Sequence, residues 1–320
     1  MAFYTGSTNS FADLRTALFS ACVAEGWTLT DDVLSKGAAF VKCTTSSADT
    51  GTQGIGLVLQ GATGYSSGSL VNPSPVTPRL GTPSRDTTLA SWPMEYFIHI
   101  FDNPDEVYLV ARYNLDYFLW LAFGLSSVAG LSESGLWTTA VSRLKRGPQG
   151  PGITIGPVSG GSNGSDNPNY GFSASVGAPF WNTVTNFDAG SHQDAICSGI
   201  DGVRWPYRTL PFSRAVDSFQ AVEPSYPLIS RSPSAWNSEA ILLPIQGYVF
   251  RASNKASLVV DLENARYVRV DNYEPGQIIT LGSDRWRIYP FYRKNTAARD
   301  GGMGIDHSGT FGWAIRYDGP

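Results

Sequence analysis

Three apolar runs, at 96–101, 107–113 and 117–123, follow one another with only short polar breaks between them. Asp102-Asn103-Pro104-Asp105 separates the first from the second, Asn114-Leu115-Asp116 separates the second from the third, and Gly124 closes the series. Runs of six or seven residues rich in Tyr, Phe, Val and Ile, bounded by turn formers, are strands, and turns this short fold them antiparallel. The expectation is a three-stranded meander with an aromatic-rich core. Composition points the same way: charged residues are 16% of the chain, below the roughly 25% of an ordinary soluble domain, while Gly 34, Pro 20 and 12% aromatics are high. Glycine and proline supply turns between many short strands.

Before this meander, Phe11, Leu14, Leu18 and Cys22 fall at helical intervals, and Ser10 with Asp13 has capping-box-like spacing. An amphipathic helix over 10–25 is expected, stopped by Gly26, because glycine takes the left-handed conformation without steric cost. Segments 27–29, 33–35 and 39–42 read as a small meander turning at Asp31-Asp32 and Lys36-Gly37. Ile55, Leu57 and Leu59 alternate as on a half-buried strand. Residues 61–91, with four glycines and four prolines, read as an exposed excursion without strand period. Residues 146–178 are rich in Gly, Pro, Ser and Asn and read as a linker or surface arm. Strand-like segments resume at 241–245, 248–251, 257–260, 267–270, 277–281, 286–289 and 311–316. The predicted fold class is α+β, predominantly β: one N-terminal amphipathic helix with antiparallel meanders, then a β-rich C-terminal portion. The expected domains are 1–145, an arm at 146–179, and 180–320.

Net charge is −4, from Lys+Arg 23 against Asp+Glu 27, and no stretch gathers enough positive charge to follow a phosphate backbone. Nucleic acid is therefore not an expected partner. The strongest basic cluster, Arg143-Leu144-Lys145-Arg146, reads as a solvated helix end. Cys22, Cys43 and Cys197 are odd in number and cannot form a fully paired disulfide framework, so folding in a reducing compartment is expected. The opening MAFYTGSTNSF lacks a basic segment followed by an apolar core, and no window approaches about 18 apolar residues. Synthesis in the cytoplasm and no membrane span are expected.

Gly64-Tyr65-Ser66-Ser67-Gly68 fits the G-x-S-x-G pattern of serine hydrolases. A nucleophile elbow needs a helix after the serine, however, and Pro73 and Pro75 oppose one, so Ser66 reads as part of a flexible loop. His99, His192 and His307 are the available bases. His99 belongs to the first meander strand and is expected to face outward, while His307 sits among turn residues. His192, Asp194 and Cys197 lack the second close ligand pair of a zinc site and read as a polar loop. Ser162-Asn163-Gly164-Ser165-Asp166-Asn167 lacks the distal glutamate of a calcium loop. Gly147-Pro148-Gln149-Gly150-Pro151-Gly152 has two collagen-like triplets, too few for a triple helix. No catalytic, cofactor or metal site residues are assigned, and no cofactor is expected. Scattered Asp and Glu leave a glycosidase pair open.

Three stretches carry a resemblance. Met1-Ala2-Phe3-Tyr4-Thr5-Gly6 leads through the helix to Leu34-Ser35-Lys36-Gly37. Trp92-Pro93-Met94-Glu95-Tyr96-Phe97-Ile98-His99-Ile100-Phe101 leads to Trp120-Leu121-Ala122-Phe123-Gly124. Ile279-Thr280-Leu281-Gly282-Ser283-Asp284-Arg285-Trp286-Arg287-Ile288-Tyr289-Pro290-Phe291 leads to the segment ending at Tyr317. Together these mark out about half of the chain, and they resemble tail-associated structural proteins of tailed double-stranded DNA bacteriophages of Gram-negative hosts. The resemblance implies a non-enzymatic virion component in the tail tip or baseplate, a homo-oligomer in multiples of three, partnered by other tail or baseplate proteins through long loops. The alternative is a carbohydrate-binding or glycan-degrading tail protein acting on the host cell surface.

Overall fold

The computed structural model describes residues 1–47, 55–82, 91–114, 117–140, 179–180, 194–206, 219–220, 241–251, 253, 255–270, 273–291 and 311–319. In chain order the elements are β1 (Ala2–Thr8), α1 (Phe11–Ala24), β2 (Thr28–Thr30), β3 (Val33–Lys36), β4 (Ala39–Ser46), β5 (Ile55–Ala62), β6 (Gly64–Ser66), β7 (Ser69–Val71), β8 (Arg79–Thr82) and β9 (Met94–Phe101). There follow β10 (Glu106–Arg112), β11 (Phe118–Leu125), β12 (Leu136–Ala140), β13 (Asp194–Ile196), β14 (Phe219–Gln220), β15 (Leu243–Arg251), β16 (Lys255–Arg269), β17 (Ile278–Leu281), β18 (Asp284–Pro290) and β19 (Phe311–Arg316), with one 3-10 turn at Ile200–Gly202. The described part is mostly antiparallel β with a single α-helix. No helix among the described residues is long and apolar enough to cross a membrane.

Three sheets form three layers. The central one runs β1-β9-β10-β11-β12-β13. In it β9 and β10 pair through Val107↔Ile100, and β10 and β11 through Val110↔Trp120. One parity of these strands, including Tyr108 and Trp120, faces a second sheet, β14-β15-β16-β19-β18-β17. There Trp313 sits edge-on to both rings, at 5.6 and 5.0 Å between centroids. The other parity faces α1 and a third sheet, β2-β3-β4-β5-β8, where Trp27 packs edge-on to Phe123 at 5.4 Å. Being covered on both faces explains why β11 is buried at every position from Phe118 to Gly124 and why its sequence runs apolar instead of alternating. Gly124 is needed where it stands, because a Cβ there would come within 2.5 Å of the Asp105 carbonyl oxygen.

The helix forms where its signals place it. Ser10 is the N-cap and accepts the Asp13 amide at 3.0 Å. At the other end Trp27 N–H reaches Cys22 O at 3.0 Å and Gly26 N–H reaches Val23 O at 3.2 Å, with Gly26 at φ +81, which is the Schellman arrangement. Leu14, Leu18 and Cys22 are buried against the third sheet and the central one. The 27–42 meander is present, turning at Asp31-Asp32 and at Gly37-Ala38.

Two expectations need correction. Residues 61–82 are not an excursion without strands: β6 and β7 form a hairpin turning on Ser67-Gly68, and β8 pairs with β5. Strands of three or four residues are too short to show a period, and the flanking prolines masked them. His99 does not face outward but is fully buried. The central sheet is covered at the Ile98–Phe101 end of β9, so the polar position there points into the second sheet. Residues on either side of the expected 146–179 arm share one apolar core, and β13 extends the central sheet beyond β12.

Candidate functional site

Polar chemistry concentrates between the central and second sheets. Glu106 opens β10 on the parity that faces β16. Opposite it, the β15–β16 register jumps from Pro244↔Arg266 to Gln246↔Asp261, so β16 carries extra residues there. Those residues turn two amides towards Glu106: its Oε1 accepts Glu263 N–H at 2.9 Å, and its Oε2 accepts Asn264 N–H at 3.0 Å, Asn264 Nδ2 at 2.9 Å and Tyr108 OH at 2.9 Å. Burial pushes the carboxyl up and the four donors pull it back, leaving it at about 7.

Asp194 on β13 is a second such node. It accepts Thr139 Oγ1 at 2.5 Å and Phe180 N–H at 3.2 Å, and burial raises it to about 7. Next to it Tyr267 OH donates to Pro179 O at 2.5 Å, so the short segment 179–180 is held from both sheets. His99 Nε2 lies 3.0 Å from Tyr289 OH; burial, and secondarily the Arg287 charge, lower its pKa to about 3, so the ring is neutral. Glu106 and His99 are fully buried, Asp194 nearly so. All three serve as inter-strand or inter-sheet ties, since a group enclosed by the core meets no diffusing substrate.

Among the described residues, those singled out in the sequence do not converge. Ser66 is exposed at the end of β6, where the chain doubles back as β7; a strand–turn–strand cannot supply the helix that a nucleophile elbow requires. Its neighbour Tyr65 is hydrogen-bonded to Asp31. Cys197 is buried directly after β13, with its amide on Leu136 O at 2.8 Å. His192, His307, Arg143 to Arg146, the collagen-like triplets and the 162–167 run lie outside the described residues. Among the described residues no three metal-ligating side chains cluster.

Sequence reasoning passed over the surface of β18. Its odd positions, Arg285, Arg287 and Tyr289, project towards the β1–β9 end of the central sheet, while Trp286 and Ile288 join Val268, Val270 and Ala314 on the opposite face. The Arg287 guanidinium carbon stands 4.7 Å from the Phe3 ring centroid, 5.2 Å from Tyr317, 5.4 Å from Phe97 and 6.0 Å from Tyr289. Arg285 stands 5.3 Å from the Tyr317 ring and donates to Gly319 O at 2.9 Å. Arginine every second residue in a strand flanked by aromatics was the available signal.

The sheet edges form a second surface. Among the described residues β17 ends the second sheet and β2 ends the third. Ile278, Leu281 and Leu29 are exposed on them, and neither strand contains a charge or a proline. Compared with known proteins, the chain matches no family model, and no curated protein is significantly similar to it.

Proposed function

We propose that this chain is a structural, contact-making component of a tailed-phage virion, in the tail tip or baseplate, and that it acts without catalysis. The uncharged, exposed edge strands β2 and β17 carry the proposal. An edge strand presents unpaired backbone N–H and C=O groups, and proteins that remain single normally guard such edges with lysine, proline or a bulge. Edges left uncharged suit a chain that spends its working life against neighbours. The low charge and high aromatic content agree, because interface cores are poor in charge and rich in Tyr, Trp and Phe. The resemblance of the three sequence stretches supplies the setting. The partners are other tail or baseplate proteins and further copies of the chain, in a closed ring because closed symmetry repeats one interface without unlimited growth, and in multiples of three as the resemblance to phage tail proteins implies.

An electron-microscopy reconstruction of the assembled particle tests this. The expected result is the chain in a closed ring or collar with a neighbour's backbone against β17 or β2. Absence from the particle, or degradation of a cell-wall or capsular polysaccharide by the purified chain, would overturn it.

A further inference from the structure

We infer that β1 is the edge by which two copies of this chain join, pairing antiparallel about Thr5 so that their central sheets run on as one. The inference does not rest on the virion reading, because a two-fold contact closes on itself and needs no ring.

The first ground is the edge itself. Among the described residues the three larger sheets end in β1 and β13, in β14 and β17, and in β2 and β8. β13 carries Asp194 and β8 carries Arg79, while β2, β14 and β17 have only two to four residues each. β1 has seven, Ala2–Thr8, with no charge and no proline, and it is paired there on one side only, to β9. A long edge without these guards is the kind that takes up another strand.

The second ground is the direction of the backbone groups. Where β10 meets β11, Leu125 N–H donates to Asp105 O and Tyr113 N–H to Tyr117 O, both at 2.9 Å. In an antiparallel ladder the bonded pairs alternate, so the odd residues of β10 bond to β11 and the even ones to β9. Carried through the registers Val110↔Phe97 and Tyr4↔Ile98, the alternation leaves Ala2, Tyr4, Gly6 and Thr8 bonded to β9. Phe3, Thr5 and Ser7 therefore turn their N–H and C=O groups away from the sheet, at the two-residue interval that an antiparallel neighbour needs. Thr5 and Ser7 are exposed as well.

The third ground selects the occupant. Only one antiparallel register of β1 against itself engages the outward groups of all three residues. It places Thr5 opposite Thr5 of the second copy, Phe3 opposite Ser7, Tyr4 opposite Gly6 and Ala2 opposite Thr8. Each ring then falls beside a small residue on its own face of the sheet. Phe3, which already meets His99 at 4.9 Å and Tyr317 at 5.2 Å, gains a neighbour small enough to leave those contacts in place. On the other face the Tyr96 ring lies over Gly6, where a Cβ would stand 2.6 Å from its hydroxyl oxygen, so the incoming Tyr4 meets an aromatic surface. The position that faces itself is a threonine. Thr–Thr is a favourable cross-strand pair, whereas a charge there would be repelled by its own copy.

The test is sedimentation of the full chain over a range of concentrations, together with cysteine cross-linking. Dimers are expected. Directly bonded Thr5 residues put their Cα atoms about 5.5 Å apart, within reach of a disulfide. Thr5→Cys should therefore cross-link to a covalent dimer when glutathione disulfide is supplied as oxidant. Ser7→Cys should not, because its two copies lie roughly 14 Å apart along the strands. The native cysteines are buried and do not compete. Thr5→Pro removes an outward N–H and leaves the β1–β9 ladder whole, so it should weaken self-association by about tenfold or more, with its urea midpoint measured to show that it is folded. Ile278→Lys, on the β17 edge, should leave the Thr5→Cys cross-link intact, which separates this contact from any made through β17. A chain that stays monomeric at every concentration, cross-linking of Ser7→Cys as readily as of Thr5→Cys, or association indifferent to Thr5→Pro would overturn the inference. So would a dimer that Ile278→Lys abolishes.

Discussion

Replacing Glu106 with glutamine should change how the stability of this protein depends on pH. In the folded chain the Glu106 carboxyl sits at about 7, against an ordinary value of 4.5. The folded state therefore holds the proton more tightly than the unfolded state. Its stabilising contribution is complete below about 4.5 and is lost as pH rises through 7. For those two values the linkage relation gives a loss of about 2 to 3 kcal/mol between pH 5 and pH 8. Urea unfolding at several pH values, on the wild type and on Glu106→Gln, reads it directly. With a denaturant slope of ~3 kcal/mol per molar, the midpoint should fall by just under about 1 M more in the wild type than in the variant across that range. Glutamine keeps the shape but cannot ionise, and its amide faces one of the four donors, so the variant should be less stable at pH 5 by about 1–3 kcal/mol. Asp194, raised in the same direction, is present in both proteins and cancels in the comparison. Parallel pH profiles, or a wild type that gains stability relative to the variant as pH rises, would refute the assignment of the shifted proton to Glu106.

Trp313→Ala should cost about 3–5 kcal/mol, because that ring is buried between Tyr108, Trp120 and Phe291 in the middle of the core; a loss below 1 kcal/mol in urea would show that the two sheets do not meet there. A fluorophosphonate probe should leave Ser66 unlabelled, as mass spectrometry of the treated protein can establish, since the hairpin provides neither helix nor oxyanion donors; labelling that disappears in Ser66→Ala would reverse this.

The helix and the meander were legible because their signals are local. Ser10, Asp13 and Gly26 specify the ends of α1 within the reach of a single turn, and the polar breaks at 102–105 and 114–116 specify the β9–β10–β11 order. What lies on each side of a strand is a long-range property. His99 was misjudged because alternation reveals a polar face only when a sheet has one, and this sheet is the middle of three layers. Glu106 was given no role, since its four donors come from Tyr108 beside it and from Glu263 and Asn264, more than 150 residues downstream. The β18 arginines were in plain view, but nothing in the chain's order shows that Phe3 and Phe97 reach them. The β6–β7 hairpin stayed hidden because three-residue strands carry no period.

The middle position of the β9–β10–β11 meander has a consequence during synthesis. Its covering on one side, α1 with β2 to β5 and β8, precedes it, but the layer that covers the other side begins only with β14 at Phe219 and is completed only with β19 at Arg316. At about 5–20 residues per second on the ribosome, roughly ten to forty seconds separate the emergence of β11 from that of β19. For that interval Tyr108, Val110 and Trp120 belong to a nascent chain with no partner sheet to receive them. A folding helper that shields extended apolar surface is therefore expected to engage this polypeptide while it is still being made, and to be displaced when Trp313 closes over the meander.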